Sequence, residues 1–131
     1  MAELPWRSYA EPALGSEYLA LVTYLPLKTF RALPRFFVHT ARIQKLLRAS
    51  PGLIGYSLLA HVLAQRFWTL SVWQDETVLM QFVRAEPHRQ AMTSLSGLMG
   101  ATEFRRWRIQ GAAIPPTWHQ AMERLPENAR S

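Results

Sequence analysis

Four stretches of the chain carry the density of β-branched and aromatic residues that marks strands: Glu17–Leu25 (EYLALVTYL), Leu53–Val62 (LIGYSLLAHV), Phe67–Trp73 (FWTLSVW) and Thr102–Gln110 (TEFRRWRIQ). Between the first two, apolar residues recur at helical spacing. Phe36, Ile43, Leu46 and Leu47 fall in one sector of a wheel from Pro34 to about Ser50, with Arg42, Lys45 and Arg48 off it. Pro34 suits a first helical turn, and Pro51-Gly52 ends the helix. After the third strand, Asp75 supplies an N-cap, and Val78, Leu79, Phe82 and Val83 share a face. Pro87 lacks an amide donor and crowds the turn before it, so it predicts a break and a second helical piece carrying His88, Ala91, Met92, Leu95 and Met99, closed by Gly100. Pro115-Pro116 stops regular structure before a short helix over Thr117–Leu125.

The order strand, helix, strand, strand, helix, strand is the split βαβ arrangement of an α+β, ferredoxin-like domain. We divide the chain into an irregular arm (1–17), the domain (18–111) and a C-terminal extension (112–131). Two helices cover one face of such a sheet, yet both faces are apolar. Trp68, Leu70 and Val72 alternate with Phe67, Thr69, Ser71 and Trp73, and Leu19, Leu21 and Leu25 with Tyr18, Val22 and Tyr24. A bare apolar face exceeds what a monomer usually exposes. A second copy of the sheet is the simplest cover, so the pattern predicts a homodimer closing into an α/β barrel.

At 131 residues the chain suffices for one domain and needs no metal or disulfide to hold its core. It has no cysteine, which removes thiolate chemistry and leans towards the cytoplasm. The net charge is +6, and 13 of the 15 basic residues are arginine. They are scattered; even Arg105, Arg106 and Arg108 alternate between faces of a strand, so they form no continuous stripe and point to no nucleic-acid partner. Nothing in 1–17 reads as a targeting segment, and no apolar run is long enough to span a membrane.

The segment TLSVWQDETVLMQFVRAEPHRQAM resembles the central signature of dimeric α/β-barrel proteins related to antibiotic-biosynthesis monooxygenases and spheroidene monooxygenase. There, too, a strand ends in a Trp-acid turn and runs into a broken helix with a Pro-His step. RRWRIQGAAIPPTWHQAMERL resembles the tail of one branch of that group. The resemblance spans roughly Leu53–Leu125. It implies the same fold and a range of activities: cofactor-free oxygenation of polycyclic aromatics, haem degradation, carotenoid oxygenation, isomerisation, or none.

His88 is the first candidate for chemistry. It shares a stripe with Met92 and Leu95, so its imidazole should face inward as a general acid/base or a haem ligand. His39 lies inside the apolar stripe of the first helix and could flank the same pocket. Both could equally be satisfied core histidines; His61 and His119 are weaker candidates. Trp73, Trp68, Tyr24, Tyr56 and Met92 are candidate contacts for a flat apolar ligand, and Trp107 offers another large ring, although each suits an ordinary core. Metal-ligand spacings, a phosphate loop and a Ser-His-acid order are absent. Two readings follow: a small monooxygenase-like enzyme for an apolar or aromatic molecule, with no cofactor or with haem, or a non-catalytic dimeric barrel that binds such a molecule or a protein partner.

Overall fold

The computed structural model describes residues 1–131. Its five strands are β1 (Ala2–Ser8), β2 (Glu17–Pro26), β3 (Leu53–His61), β4 (Arg66–Trp73) and β5 (Glu103–Gln110). They form one antiparallel sheet in the order β1-β3-β4-β2-β5. The helices are α1 (Leu33–Arg48), α2 (Glu76–Arg84), α3 (His88–Leu95) and α4 (Trp118–Arg124). Strands β2 to β5 with the helices between them are the ferredoxin-like α+β arrangement that the pattern predicts.

Local chemistry sets the boundaries. Asp75 caps α2 by accepting from the Val78 amide at 3.0 Å, and Thr117 and Gln120 form a capping box on α4. The helix after β4 breaks between Arg84 and His88, at Pro87. Gly52 closes the α1–β3 turn at φ +84, where a Cβ would meet the Val78 side chain at 2.7 Å.

The opening residues are not wholly irregular. Ala2–Ser8 pairs antiparallel with β3, and its register shifts between Leu4 and Arg7. Pro5 and the charges of this segment argue against a central strand, but β1 lies at the sheet edge, where a residue without an amide donor is tolerated.

The sheet's two faces are covered differently. Helices α1, α2 and α3 lie over the face bearing Leu21, Tyr56, Phe67 and Trp73. The other face, expected to be bare, is covered by the chain's own C-terminal segment. Ala121, Met122, Leu125 and Ala129 pack there with Val22, Tyr24, Leu59, Trp68 and Leu70, and Trp6, Trp107 and Trp118 close the rim. The Trp68 indole donates to the Ala129 carbonyl at 2.7 Å. Arg66 donates to the Asn128 and Arg130 carbonyls while its guanidinium lies 5.1 Å from the centre of the Trp68 ring. The premise from which a dimer was inferred, an uncovered apolar face, therefore does not hold.

Candidate functional site

On the helix face the packing is incomplete. A cavity of ≈ 870 Å³ lies between the sheet and helices α1, α2 and α3, and 22 of its 33 lining residues are hydrophobic. This is within the size range of small-molecule sites, of roughly 300–1,000 Å³. Strand alternation builds one wall: Phe67, Thr69, Ser71 and Trp73 of β4 point to this face, beside Leu21, Thr23 and Leu25 of β2.

The polar groups are few. His39, in mid-α1, is only 7% exposed. Its Nε2 lies 3.2 Å from the Ser94 hydroxyl across the α1–α3 contact, while its Nδ1 is buried without a partner. Tyr56 is 1% exposed, and burial pushes its hydroxyl above the ordinary phenol range, so it stays protonated at neutral pH. Gln44 donates to that oxygen at 3.5 Å, and Tyr9 stacks on the ring at 5.9 Å.

His88 sits at the start of α3 because Pro87 restarts the helix there. Its ring centre is 4.8 Å from Phe82, which is 5.0 Å from Trp73. The Trp73 indole donates to the Ser71 hydroxyl at 2.9 Å. His88 Nδ1 lies 3.1 Å from the Val83 carbonyl oxygen. A carbonyl can only accept, so Nδ1 carries the hydrogen. In the neutral ring Nε2 then keeps a lone pair. Burial lowers the His88 pKa from its ordinary 6.5, and the Val83 bond opposes that shift more weakly. At neutral pH this ring is an uncharged base.

The shift fixes a pH dependence. Between the folded pKa and 6.5 the unfolded chain takes up a proton that the folded chain does not. Stability from His88 is thus complete above 6.5 and falls as pH drops through the folded pKa. Melting curves from about pH 8 to pH 5 should show this acid-side loss, and His88→Gln should flatten it. Parallel pH profiles in the two proteins would contradict the assignment.

The cavity brings together His39, His88, Trp73, Tyr56 and Met92. Trp68 also lines it from β4, whereas Tyr24 does not. The Tyr24 ring and the Trp68 indole belong to the opposite face, 5.6 Å apart under the C-terminal segment, although Trp68 stands in the strand that forms the cavity wall. His61 ends β3 outside the cavity, and His119 is an exposed partner of Glu123. Ser71 and Gln44 line the cavity and Ser94 is the partner of His39; no sequence motif singles them out. No group of three or more His, Asp or Glu residues could hold a metal ion.

No family model matches the chain, and no curated protein matches it by sequence. Solved structures share its fold. A conserved protein from Methanosarcina mazei Go1 superposes with TM-score 0.61 at 17% identity, over 69% of this chain and 90% of that one. SnoaB, a cofactor-independent oxygenase from Streptomyces nogalater, gives 0.58 at 17%, over 70% and 92%. An antibiotic biosynthesis monooxygenase gives 0.59 at 13%, over 70% and 96%. The structural neighbours thus include a cofactor-independent oxygenase and an antibiotic biosynthesis monooxygenase, at identities that speak for the fold alone. No helix of the chain is long and apolar enough to cross a membrane.

Proposed function

We propose that the cavity binds an uncharged, ring-containing small molecule and that the chain is an oxygenase acting on it, with His88 as general base. The observation that carries this reading is the His88 imidazole, its Nδ1 3.1 Å from the Val83 carbonyl oxygen, in the wall of an apolar cavity of ≈ 870 Å³. His88 would take a proton from an activated ring CH₂, leaving a carbanion able to pass an electron to O₂. In the net reaction the CH₂ becomes C=O. One oxygen atom enters the product and the other leaves as water with both hydrogens. The oxygenases among the structural neighbours support this choice of chemistry.

Haem fits the lining less well. His88 offers one donor atom, but haem also brings two carboxylates. Arg106 is the sole permanent cation in the lining, and Glu76 already holds it at 2.7 Å. We therefore favour the cofactor-free reading. A homodimer, expected from the sequence, would have to use a surface other than the sheet face that the C-terminal segment fills.

Quenching of tryptophan fluorescence by a polycyclic phenol tests the cavity. The wild type should saturate, and Thr69→Trp, which fills the cavity from β4, should weaken binding at least tenfold while leaving the far-UV spectrum unchanged. Equal affinity in the two proteins would move the ligand elsewhere. Saturable binding without oxygen uptake would favour the non-catalytic reading.

A further inference from the structure

One end of the molecule collects exposed apolar side chains. It is the end where β3 turns into β4, β2 runs out into α1, and β5 begins. Leu63, in the β3–β4 turn, is 82% exposed, and Phe30 and Phe104 are each 56% exposed. Phe37, Val38 and Val62 also lie open. One backbone hydrogen bond and one ring contact tie these segments together: the Leu27 amide donates to the Gln65 carbonyl at 2.8 Å, and the Phe37 ring centre is 6.0 Å from that of Phe67.

The stretch of chain that forms most of this end carries charge of one sign. No Asp or Glu occurs between Glu17 and Asp75, a span that carries Lys28, Arg31, Arg35, Arg42, Lys45, Arg48 and Arg66. Lys28, Arg31 and Arg35 are exposed at this end, and none of them pairs with a carboxylate. The acids nearby are Glu103, which is tied to Arg105 at 3.0 Å, and, on the other side of the sheet, Glu127 and the exposed Glu3, which pairs in register with Leu59 at the edge strand.

We propose that this end docks on the surface of an anionic lipid bilayer, with Phe30, Phe37 and Leu63 entering the headgroup boundary and Lys28, Arg31 and Arg35 lying among the lipid phosphates. Protruding apolar side chains ringed by unopposed cations are the make-up of interfacial membrane contacts. A second copy on the same patch would set the three cations against their own images. Phe37 and Phe104 line the cavity as well as the patch, so the cavity opens where the lipid would lie. A lipophilic ligand could then pass from bilayer to cavity without crossing water. The docking itself rests on the patch alone and requires no particular reaction.

Flotation of the full chain with vesicles tests it without any cavity ligand. Vesicles of phosphatidylcholine with about one-third phosphatidylserine should carry the protein up at low salt, and raised salt should release it. Pure phosphatidylcholine should bind on the order of a hundredfold less, from roughly three cations near the surface. Phe30→Glu with Leu63→Glu should abolish flotation, and Arg31→Glu with Arg35→Glu should remove the preference for anionic lipid; these sites are exposed, so the melting temperature should hold. Thr69→Trp should float like the wild type, which separates this proposal from the cavity reading. Protein left in solution with anionic vesicles at low salt would overturn it. So would an equal loss on Arg42→Glu with Arg48→Glu, at the far end of α1. Sedimentation showing a dimer that Leu63→Glu splits would assign the patch to a second copy instead.

Discussion

Deleting residues 115–131 should leave a chain that cannot persist as a folded monomer. The deletion removes Ala121, Met122, Leu125 and Ala129 from the sheet and uncovers Val22, Trp68 and Leu70, all of which are buried in the full chain. Burying one Leu or Met side chain is worth about 1.5–3 kcal/mol. Two such residues, the edge of the Trp118 indole and the hydrogen bond from Trp68 to Ala129 bring the loss to roughly 5 kcal/mol or more, against a total stability of about 5–15 kcal/mol for a typical domain. The truncated chain should unfold or cover its bared face by association. Light scattering should report dimers or larger particles, and dye binding should report exposed apolar surface. A peptide of residues 115–131 added in trans should restore the monomer. A truncated chain that stays monomeric and melts with the full one would show that the C-terminal segment contributes nothing to the sheet. The single change Leu125→Ala should cost about 2–5 kcal/mol by the same logic, as a large-to-small change at a fully buried site.

The three structural neighbours described above match about 70% of this chain and 90–96% of their own.

The four core strands and the break at Pro87 were legible because their causes are local: β-branched density, a capping aspartate, and a proline without an amide donor. Where the tail goes is not local. Thr117–Leu125 reads as a short helix, and nothing in its own residues says that Ala129 will meet Trp68, 61 positions back in the chain. The alternation makes the apolar second face legible, but it does not distinguish a second copy as its cover from the chain's own C-terminal segment. β1 was missed because Glu3, Pro5 and Arg7 look unlike a strand interior, and only its place at the edge makes them acceptable. Within the site, His39 and His88 were placed by helical spacing, and both line the cavity. Trp68 is separable from Trp73 by strand parity on the sequence alone, whereas Tyr24 needs the β2–β4 register that the structure shows. Trp68 and Trp73 have opposite parity along β4, and Tyr24 pairs in register with Trp68, so these rings cannot share a face.

His88→Ala and His88→Gln should abolish oxygen uptake with an activated polycyclic substrate while leaving its binding nearly intact. General-base catalysis by a placed side chain contributes typically about 10²–10⁴-fold, and neither replacement supplies a base of similar pKa. The structural cost is smaller. The wild-type ring makes one hydrogen bond to the protein, to the Val83 carbonyl at 3.1 Å, and packs on Phe82. Losing that bond costs about 1 kcal/mol, or roughly 3–5 °C in melting temperature for a domain of this size. Rate and stability should therefore separate: kcat falls by orders of magnitude, KM stays within a few-fold, and the fold survives. Because the imidazole must be neutral to act, the wild-type rate should also fall on the acid side, with a midpoint below 6.5. His39→Gln gives the contrast. His39 reaches Ser94 and leaves Nδ1 buried and unpaired, so its replacement should change stability more than the pH midpoint of the rate. If His88→Gln keeps full oxygen uptake, or if it lowers activity only in proportion to the fraction unfolded, His88 is a packing residue and the base lies elsewhere in the cavity.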